Sequence, residues 1–384
     1  MQRILQLDFV RGIAVLGILL MNISGFGLPG AAYLNPAWHG TPSTSDFWTW
    51  AILDITTQVK FLSLFAILFG ASLAMLIPRG GRFLFSRLGW LVVIGLMHSV
   101  FFWEGDILLD YGLIGLFVWR FIAQVEDNDR LLRTGIFLYF VGALVLIPYG
   151  LVAGDNPGSS WLPGPSSLEY EQFWKVQSGS EALLNRIDML SSGIMALLSQ
   201  YGWQLAGAMM AGAALLRNGW LTGERTSAVY RRQGIILILT GVAIQLPGLL
   251  LQIHLQWAWP WAPFFLQIPR DLGAPLQGLG YVALLYSVWH SLSQQRWVGW
   301  ISQVGRMALS NYLLQTLICT TLFYRLGGFM QFDRLQLLAM VPAIWCVNLL
   351  FSHLWLRRFR QGPMEALWRQ LTRFTAGASV SSSK

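Results

Sequence analysis

Charge is what this chain has least of. Only 11% of its 384 residues are Asp, Glu, Lys or Arg, against roughly 25% in a soluble globular domain. With 55% hydrophobic and 14% aromatic residues and a mean hydropathy of +0.52, the chain reads as an all-α polytopic membrane protein. Once the apolar segments are set aside, no soluble domain of useful size remains. Cysteine is nearly absent: Cys319 and Cys346 both lie in apolar stretches and match no zinc or redox spacing, so they read as small buried hydrophobes. There is no nucleophile elbow, Walker loop, metal-ligand spacing or heptad seam, and GLGY at 278–281 is a glycine-rich helix start. The net charge of +8 and pI near 9.8 could suggest nucleic acid. The charges are scattered through short loops, however, which is how membrane orientation is encoded, and no nucleic-acid partner is expected.

What the chain does have is long apolar runs. Ten segments of spanning length lie near 12–28, 59–77, 87–103, 106–123, 132–153, 190–216, 233–253, 272–293, 306–324 and 335–355. The first could pass for a signal peptide, since Arg3 and Arg11 precede it. Asp8 and Arg11 abut the run, Asn22 and Ser24 lie inside it, and no small-x-small cleavage site follows, so it is kept as a mature helix. The longest loop, about 154–189, is rich in Gly, Pro and Ser and acidic, and is expected to be irregular. The expected organisation is thus a transmembrane helical domain over 1–355, followed by 356–384. In that tail, Gly362-Pro363 breaks the chain ahead of a short amphipathic helix that places Met364, Leu367, Trp368 and Leu371 on one face, suited to a membrane interface. A disordered end, AGASVSSSK, is expected beyond it.

Lys and Arg set the orientation. With ten spans and both termini cytoplasmic, 20 of the 26 Lys and Arg residues fall inside, as the positive-inside rule requires. The acidic long loop falls outside.

Against this apolar background the ionisable and amide side chains stand out, because such groups inside a membrane are costly and point to function. Arg87 and His98 bracket the stretch RLGWLVVIGLMH. Eleven residues of helix rise about 16 Å in close to three turns, so both side chains share a face, the arginine at the cytoplasmic rim and the imidazole near mid-depth. Each has a plain alternative, a snorkelling anchor for Arg87 and a helix–helix hydrogen bond for His98. Just beyond lies FFWEGDILLDYG. Asp106 could orient the imidazole or cap a helix, while Glu104 and Asp110 read better as a solvated outer turn. The first segment repeats the spacing: Arg11 and Asn22 are also eleven apart, Asp8 stands one turn before Arg11, and Gly12 and Gly17 permit close helix contact. Asn22 could serve as a donor to an acyl oxygen or as packing glue. The ninth segment, GRMALSNYLLQT, sets Arg306 at the inner edge with Ser310, Asn311 and Gln315 above it, which suggests a polar cavity. Lys60 reads as an interfacial anchor at the outer rim. His39, His254, His290 and His353 lack recognisable partners, and the outer tryptophans (Trp38, Trp48, Trp50, Trp257, Trp259, Trp261) read as an interfacial belt that could also stack a sugar.

Five ordered blocks, LDFVRGIAVLGILLMNISGFGLP, KFLSLFAILFGA, HSVFFWEGDILLDYGLIG, GRMALSNYLLQT and QGPMEALWRQLT, resemble the YeiB family of bacterial inner-membrane proteins over essentially the whole chain. A more distant likeness is to transmembrane acyltransferases. Bacterial polysaccharide O-acetyltransferases show an arginine, ten residues and a histidine on one helix, matched by Arg87 and His98. Relatives of the lysosomal heparan glucosaminide N-acetyltransferase open with Asp-x-x-Arg-Gly, matched by Asp8, Arg11 and Gly12. The likeness implies a multi-pass enzyme of the bacterial inner membrane that moves an acyl group, acetyl above all, from cytoplasmic acyl-CoA to an acceptor hydroxyl or amine. On this reading His98, Asp106 and Asn22 are expected to be catalytic, and Arg87, Arg11, Asp8, Arg306 and Asn311 to bind the cofactor, with no metal. The expected partners are the bilayer, an acyl-CoA and an acceptor the sequence does not name, and a homo-oligomer is left open. The competing reading is a transporter or flippase for a small anionic or lipid-linked substrate, which discontinuous or inverted-repeat helices would support.

Overall fold

Hydrocarbon offers no water to a free N–H or C=O, so an apolar chain of this kind has to close its backbone hydrogen bonds within each segment. It does so with helices. The computed structural model describes residues 4–177 and 179–377, and among these there is no strand. In order the helices are α1 (Leu5–Gly27), α2 (Thr44–Thr56), α3 (Lys60–Leu76), α4 (Gly81–Phe101), α5 (Leu108–Gln124), α6 (Asn128–Leu144) and α7 (Leu146–Val152). Then come α8 (Pro165–Gln177), α9 (Ser180–Ala196), α10 (Gly202–Arg217), α11 (Ser227–His254), α12 (Gln267–Ser287) and α13 (Trp289–Leu292). The last four are α14 (Arg296–Arg306), α15 (Ala308–Thr320), α16 (Arg334–Arg358) and α17 (Pro363–Ala376).

Every apolar segment expected from sequence coincides with a helix. Among the described residues, six stretches are long and apolar enough to cross a membrane: α1, Thr44–Arg79 (α2 and α3 together), α4, Asn128–Val152 (α6 and α7), α11 and α16. The helices under the other four segments are shorter or more polar. α5, α10 and α15 have 17, 16 and 13 residues, and α12 opens QIPRDLGAPLQG. The expectation of an irregular segment over about 154–189 is corrected: only its first part, up to Gly164, is loop, and most of the rest is helix. α8 begins at Pro165, where a missing N–H and a fixed φ suit the first turn of a helix, and α9 follows directly. A tail helix is present as α17; of the expected disordered run AGASVSSSK, Ala376 is the last residue of α17, and the residues from Ala378 on lie outside the described residues.

Two packing features place the site. α1 and α14 touch backbone to backbone: a Cβ on Gly305 would lie 1.8 Å from the Asp8 carbonyl oxygen, and one on Gly12 would lie 2.1 Å from that of Ile301. Only glycine permits this approach, which sets Arg11 and Arg306, the neighbours of those glycines, at the same end of the bundle. α4 buries Leu84, Leu88, Leu91, Gly95 and His98, an alternating four–three spacing that keeps one face inward. The outer tryptophans divide. Trp50 and Trp257 join Trp161 in a small core of their own, while Trp48 and Trp261 stay exposed.

Candidate active site: a buried histidine above an arginine-rimmed cavity

Arg87, Leu88 and Leu91, in the second and third turns of α4, face a cavity of about 320 Å³. Arg11, Arg87, Arg306 and Glu365 line its mouth, and its walls are apolar further in, with Val15, Ile18, Phe65 and Leu91 among them. A more open hollow of about 480 Å³ shares those four mouth residues and adds Asp8, Arg79, Arg360 and Arg369. Among the described residues, six arginines therefore line the entrance with two carboxyl groups. Arg11 is tied to Asp8 (Nη1–Oδ1 3.2 Å) and to the Ser72 hydroxyl of α3 (Nη2–Oγ 3.1 Å). Arg306 donates from Nη2 to the carbonyl of Arg360 at 3.1 Å.

The tail helix closes one side of this mouth. The Arg87 guanidinium lies 3.5 Å from the centre of the Trp368 ring, and the Trp368 indole N–H donates to the Arg87 carbonyl at 2.7 Å. Glu365 accepts from the Ser310 backbone N–H at 3.0 Å and from its hydroxyl at 2.5 Å, capping the first turn of α15. Burial pushes the Glu365 carboxyl above its ordinary range, in spite of the hydrogen bonds from Ser310.

About 16 Å further along α4, His98 is 3% exposed. Its Nδ1 is 2.6 Å from Asp106 Oδ1, and its Nε2 is 3.0 Å from Thr316 Oγ1 on α15. The second carboxylate oxygen, Asp106 Oδ2, accepts the backbone N–H of Leu109 at 2.8 Å. Asp106 thus does both things its position suggested: it caps α5 and it orients the imidazole. A carboxylate accepts at both oxygens, so the hydrogen between the two groups is donated by Nδ1; when the ring is neutral, Nε2 is then the lone pair that faces Thr316. The cavity stops one layer short of this cluster. Its inner end is formed by Ile107, Leu108, Tyr111 and Tyr312. The Tyr312 ring lies 5.4 Å from the imidazole, and its hydroxyl accepts from the Ile107 N–H at 3.3 Å.

The structure therefore brings together Asp8, Arg11, Arg87 and Arg306 at the mouth, and His98 with Asp106 beyond its inner end. It does not bring the two amides there. Asn311 is fully buried and gives its donors to the carbonyls of Met307 and Val304 and to Ser352 Oγ, while its oxygen accepts from Asn348. Asn22 is half-buried and lines neither hollow. Among the described residues, no three His, Cys, Asp or Glu side chains converge on a point that could hold a metal ion.

Other positions differ from expectation. Glu104 is not a solvated turn residue: Lys175 of α8 reaches it at 2.8 Å and Glu171 at 3.1 Å, and Arg186 of α9 comes within 3.8 Å of Glu104. Burial raises the Glu104 pKa, but Lys175 and then Arg186 pull the other way, and the carboxyl ends below its ordinary range. Asp110 accepts from the Tyr201 hydroxyl at 2.9 Å. Lys60 is not an interfacial anchor. It is fully buried where α2 breaks into α3, at a left-handed Val59 (φ 67°), and donates to the Asp54 carbonyl (2.6 Å) and to Gln245 (2.5 Å). Beside it Arg270 pairs with Asp54 at 3.1 Å, and Gln204 bonds Asp271 at 3.0 Å. Arg270 and Asp271 precede the expected 272–293 segment, and α12 extends back over them to Gln267. Thr316 is the last residue of GRMALSNYLLQT, in which Arg306, Ser310 and the two amides are the polar groups that stand out by residue type. A hydroxyl four residues after a tyrosine carries no signal until the fold places it on a histidine.

Comparison with known proteins agrees with the blocks read from the sequence. The chain is 55% identical over 381 residues to YeiB of Escherichia coli (strain K12), an uncharacterized protein, covering 99% of each chain. The chain belongs to the YeiB family. More distant relatives are also uncharacterized. YxaH of Bacillus subtilis (strain 168) is 29% identical over 397 residues, covering 97% of this chain and 94% of its own. A 39.9 kDa protein from the amylase 3′ region of Bacillus acidopullulyticus is 26% identical over 385 residues, with the same coverage. Residues 215–375 match the family described as "Protein of unknown function (DUF418)". That stretch holds Arg306, Thr316 and α17 but not Arg11, Arg87 or His98.

Proposed function

We propose that this YeiB-family protein is a transmembrane acyltransferase of the bacterial inner membrane, moving an acyl group, acetyl above all, from acyl-CoA to a hydroxyl or amine acceptor. In this reading the chain has ten spans, and both termini and the arginine end face the cytoplasm. One observation carries the reading: an arginine-ringed cavity runs along α4 and ends one side-chain layer below a buried His98–Asp106 pair. The donor set fits the phosphate-rich end of a CoA. Among the described residues, six guanidinium groups line the mouth beside Asp8 and Glu365, and arginine grips phosphate through paired, charge-assisted hydrogen bonds. The apolar walls beyond suit an arm that carries little charge. CoA supplies the activated acyl thioester; the chain supplies the base. His98, held by Asp106 with Nε2 unprotonated, takes the proton of an attacking hydroxyl or amine, a contribution of roughly 10²–10⁴-fold.

Calorimetric titration of the purified protein with acetyl-CoA tests this. Saturable binding is expected, weakened in Arg87→Ala, while His98→Ala still binds and no longer transfers the acyl group. Absence of binding sinks the proposal. It would favour transport, the alternative with an observation of its own: the break between α2 and α3 beside the buried Lys60, Asp54 and Arg270 is the kind of discontinuity transporters use at a substrate site.

A further inference from the structure

We propose that Thr316 is the first acceptor of the acyl group, so that transfer passes through an ester on the Thr316 hydroxyl. This rests on the acyltransferase reading and adds to it a residue and an order of events.

Asp106, His98 and Thr316 form a continuous relay. Asp106 Oδ1 is 2.6 Å from Nδ1, and Nε2 is 3.0 Å from Thr316 Oγ1. All three are buried. When the ring is neutral and Nδ1 carries its proton, Nε2 offers only a lone pair and the hydrogen on that contact comes from Thr316. A hydroxyl donating to an imidazole that a buried carboxylate orients is the arrangement that activates serine and threonine nucleophiles on unrelated folds. The Thr316 hydroxyl has one other acceptor nearby, the Tyr312 carbonyl one turn back, at 3.4 Å. Protonation of the ring makes Nε2 a donor and turns the hydroxyl toward that carbonyl. The rotor therefore has a defined partner in both states of the base.

The surroundings supply the rest. Tyr312 stands between the cavity and the imidazole, and its hydroxyl oxygen accepts the backbone N–H of Ile107, immediately before α5. Ile107 also lines the cavity. A thioester carbonyl oxygen that takes the place of the Tyr312 hydroxyl meets that N–H as an oxyanion donor. The reaction then runs in two balanced halves. In the first, Thr316 Oγ attacks the thioester carbon as His98 Nε2 takes the hydroxyl proton. The carbon–sulfur bond breaks, and the leaving thiolate takes that proton back from Nε2 to depart as the thiol. In the second, the acceptor hydroxyl or amine loses a proton to Nε2 and attacks the ester. Thr316 Oγ leaves and recovers the proton. The relay lies beyond the inner end of a cavity that opens at the arginine end. A covalent stop there lets the donor leave by the way it came before the acceptor arrives.

The test uses the full-length purified protein with ¹⁴C-acetyl-CoA and no acceptor, acid quench, intact mass and peptide mapping, beside calorimetric binding of unlabelled acetyl-CoA. One acetyl group per chain is expected on the peptide holding Thr316. Thr316→Val, which keeps the shape and removes the hydroxyl, should lose the label and keep CoA affinity; Thr316→Ser should restore the label; His98→Ala should lose it. Acetyl-CoA that binds without labelling Thr316, or label on another residue, overturns the proposal and leaves the acyltransferase reading standing. If acetyl-CoA does not bind at all, both fall.

Discussion

Replacing Lys175 by methionine keeps a side chain of similar length and removes its charge. The native ammonium is 2% exposed, 2.8 Å from Glu104 and 3.1 Å from Glu171, with the Phe329 ring 5.0 Å away. Stripping one partner from a buried ion pair costs about 3–5 kcal/mol, because the other charge is left in a poor solvent. Arg186 remains 3.8 Å from Glu104, and Glu171 keeps the Gly30 N–H at 2.9 Å, so the lower end of that range is expected. Opening of α8 away from the α4–α5 turn should then be about 100-fold more populated. Hydrogen exchange in detergent reads this directly: the amides of Pro165–Gln177 should lose protection while those of α3 and α10 do not. Adding Glu104→Gln removes the stranded charge and should recover part of the loss. Unchanged exchange in Lys175→Met, or a double variant as unprotected as the single, would refute the reasoning. The pH dependence has a fixed sign. Glu104, held below its ordinary pKa, contributes stability above that ordinary value, and the contribution is lost as pH falls through the lower folded value. Lys175, held above its ordinary pKa by Glu104 against the effect of burial, contributes stability that is lost only as pH rises past about 10.4. Between about pH 5 and pH 10 the lock should be constant.

Asp106→Asn should leave acetyl-CoA binding intact and slow acyl transfer by roughly 10²–10⁴-fold, since an amide nitrogen facing Nδ1 selects the tautomer that protonates Nε2; wild-type turnover in this variant would show that Asp106 is only a cap. Arg270→Met leaves Asp54 without its 3.1 Å ion-pair partner and should lower stability by about 3–5 kcal/mol, read as a fall in the thermal midpoint in detergent; an unchanged midpoint would contradict the pairing. Gly305→Ala puts a methyl group 1.8 Å from the Asp8 carbonyl oxygen and should cost about 1–3 kcal/mol or more while weakening acetyl-CoA binding through the displaced Arg11 and Arg306; full stability would mean that α1 and α14 do not meet there.

Helix class and the one-sided placement of the arginines are properties of composition and order along the chain. Apolar runs of about twenty residues can satisfy their backbone only as helices in lipid, and the Arg87–His98 spacing on one helix fixes a shared face whatever packs against it. These were legible. The count of crossings was less so, because α5, α10, α12 and α15 take length and apolarity from neighbours as much as from themselves. The six Lys and Arg residues expected on the outer side show the same limit. Lys60, Lys175, Arg186, Arg270 and Arg334 are all buried, and only Arg325 is exposed. Hydropathy sees a charge at a segment end; it does not see the carboxylate, amide or carbonyl from a distant helix that lets the charge go inside.

By itself, then, the sequence determined a helical membrane protein of the YeiB family with an arginine end and a histidine held within α4. Only the tertiary structure decided what the histidine meets. Asp106 lies eight residues away and could be anticipated, because one turn of chain joins it to α4. Thr316 and Tyr312 are more than two hundred residues distant, and Asn311, equally plausible by its residue type, spends its donors on packing. Local periodicity fixes which face of a helix is buried. Which side chain of another helix reaches that face depends on crossing angle and close approach, and those are set by glycines such as Gly12 and Gly305 acting across the whole bundle.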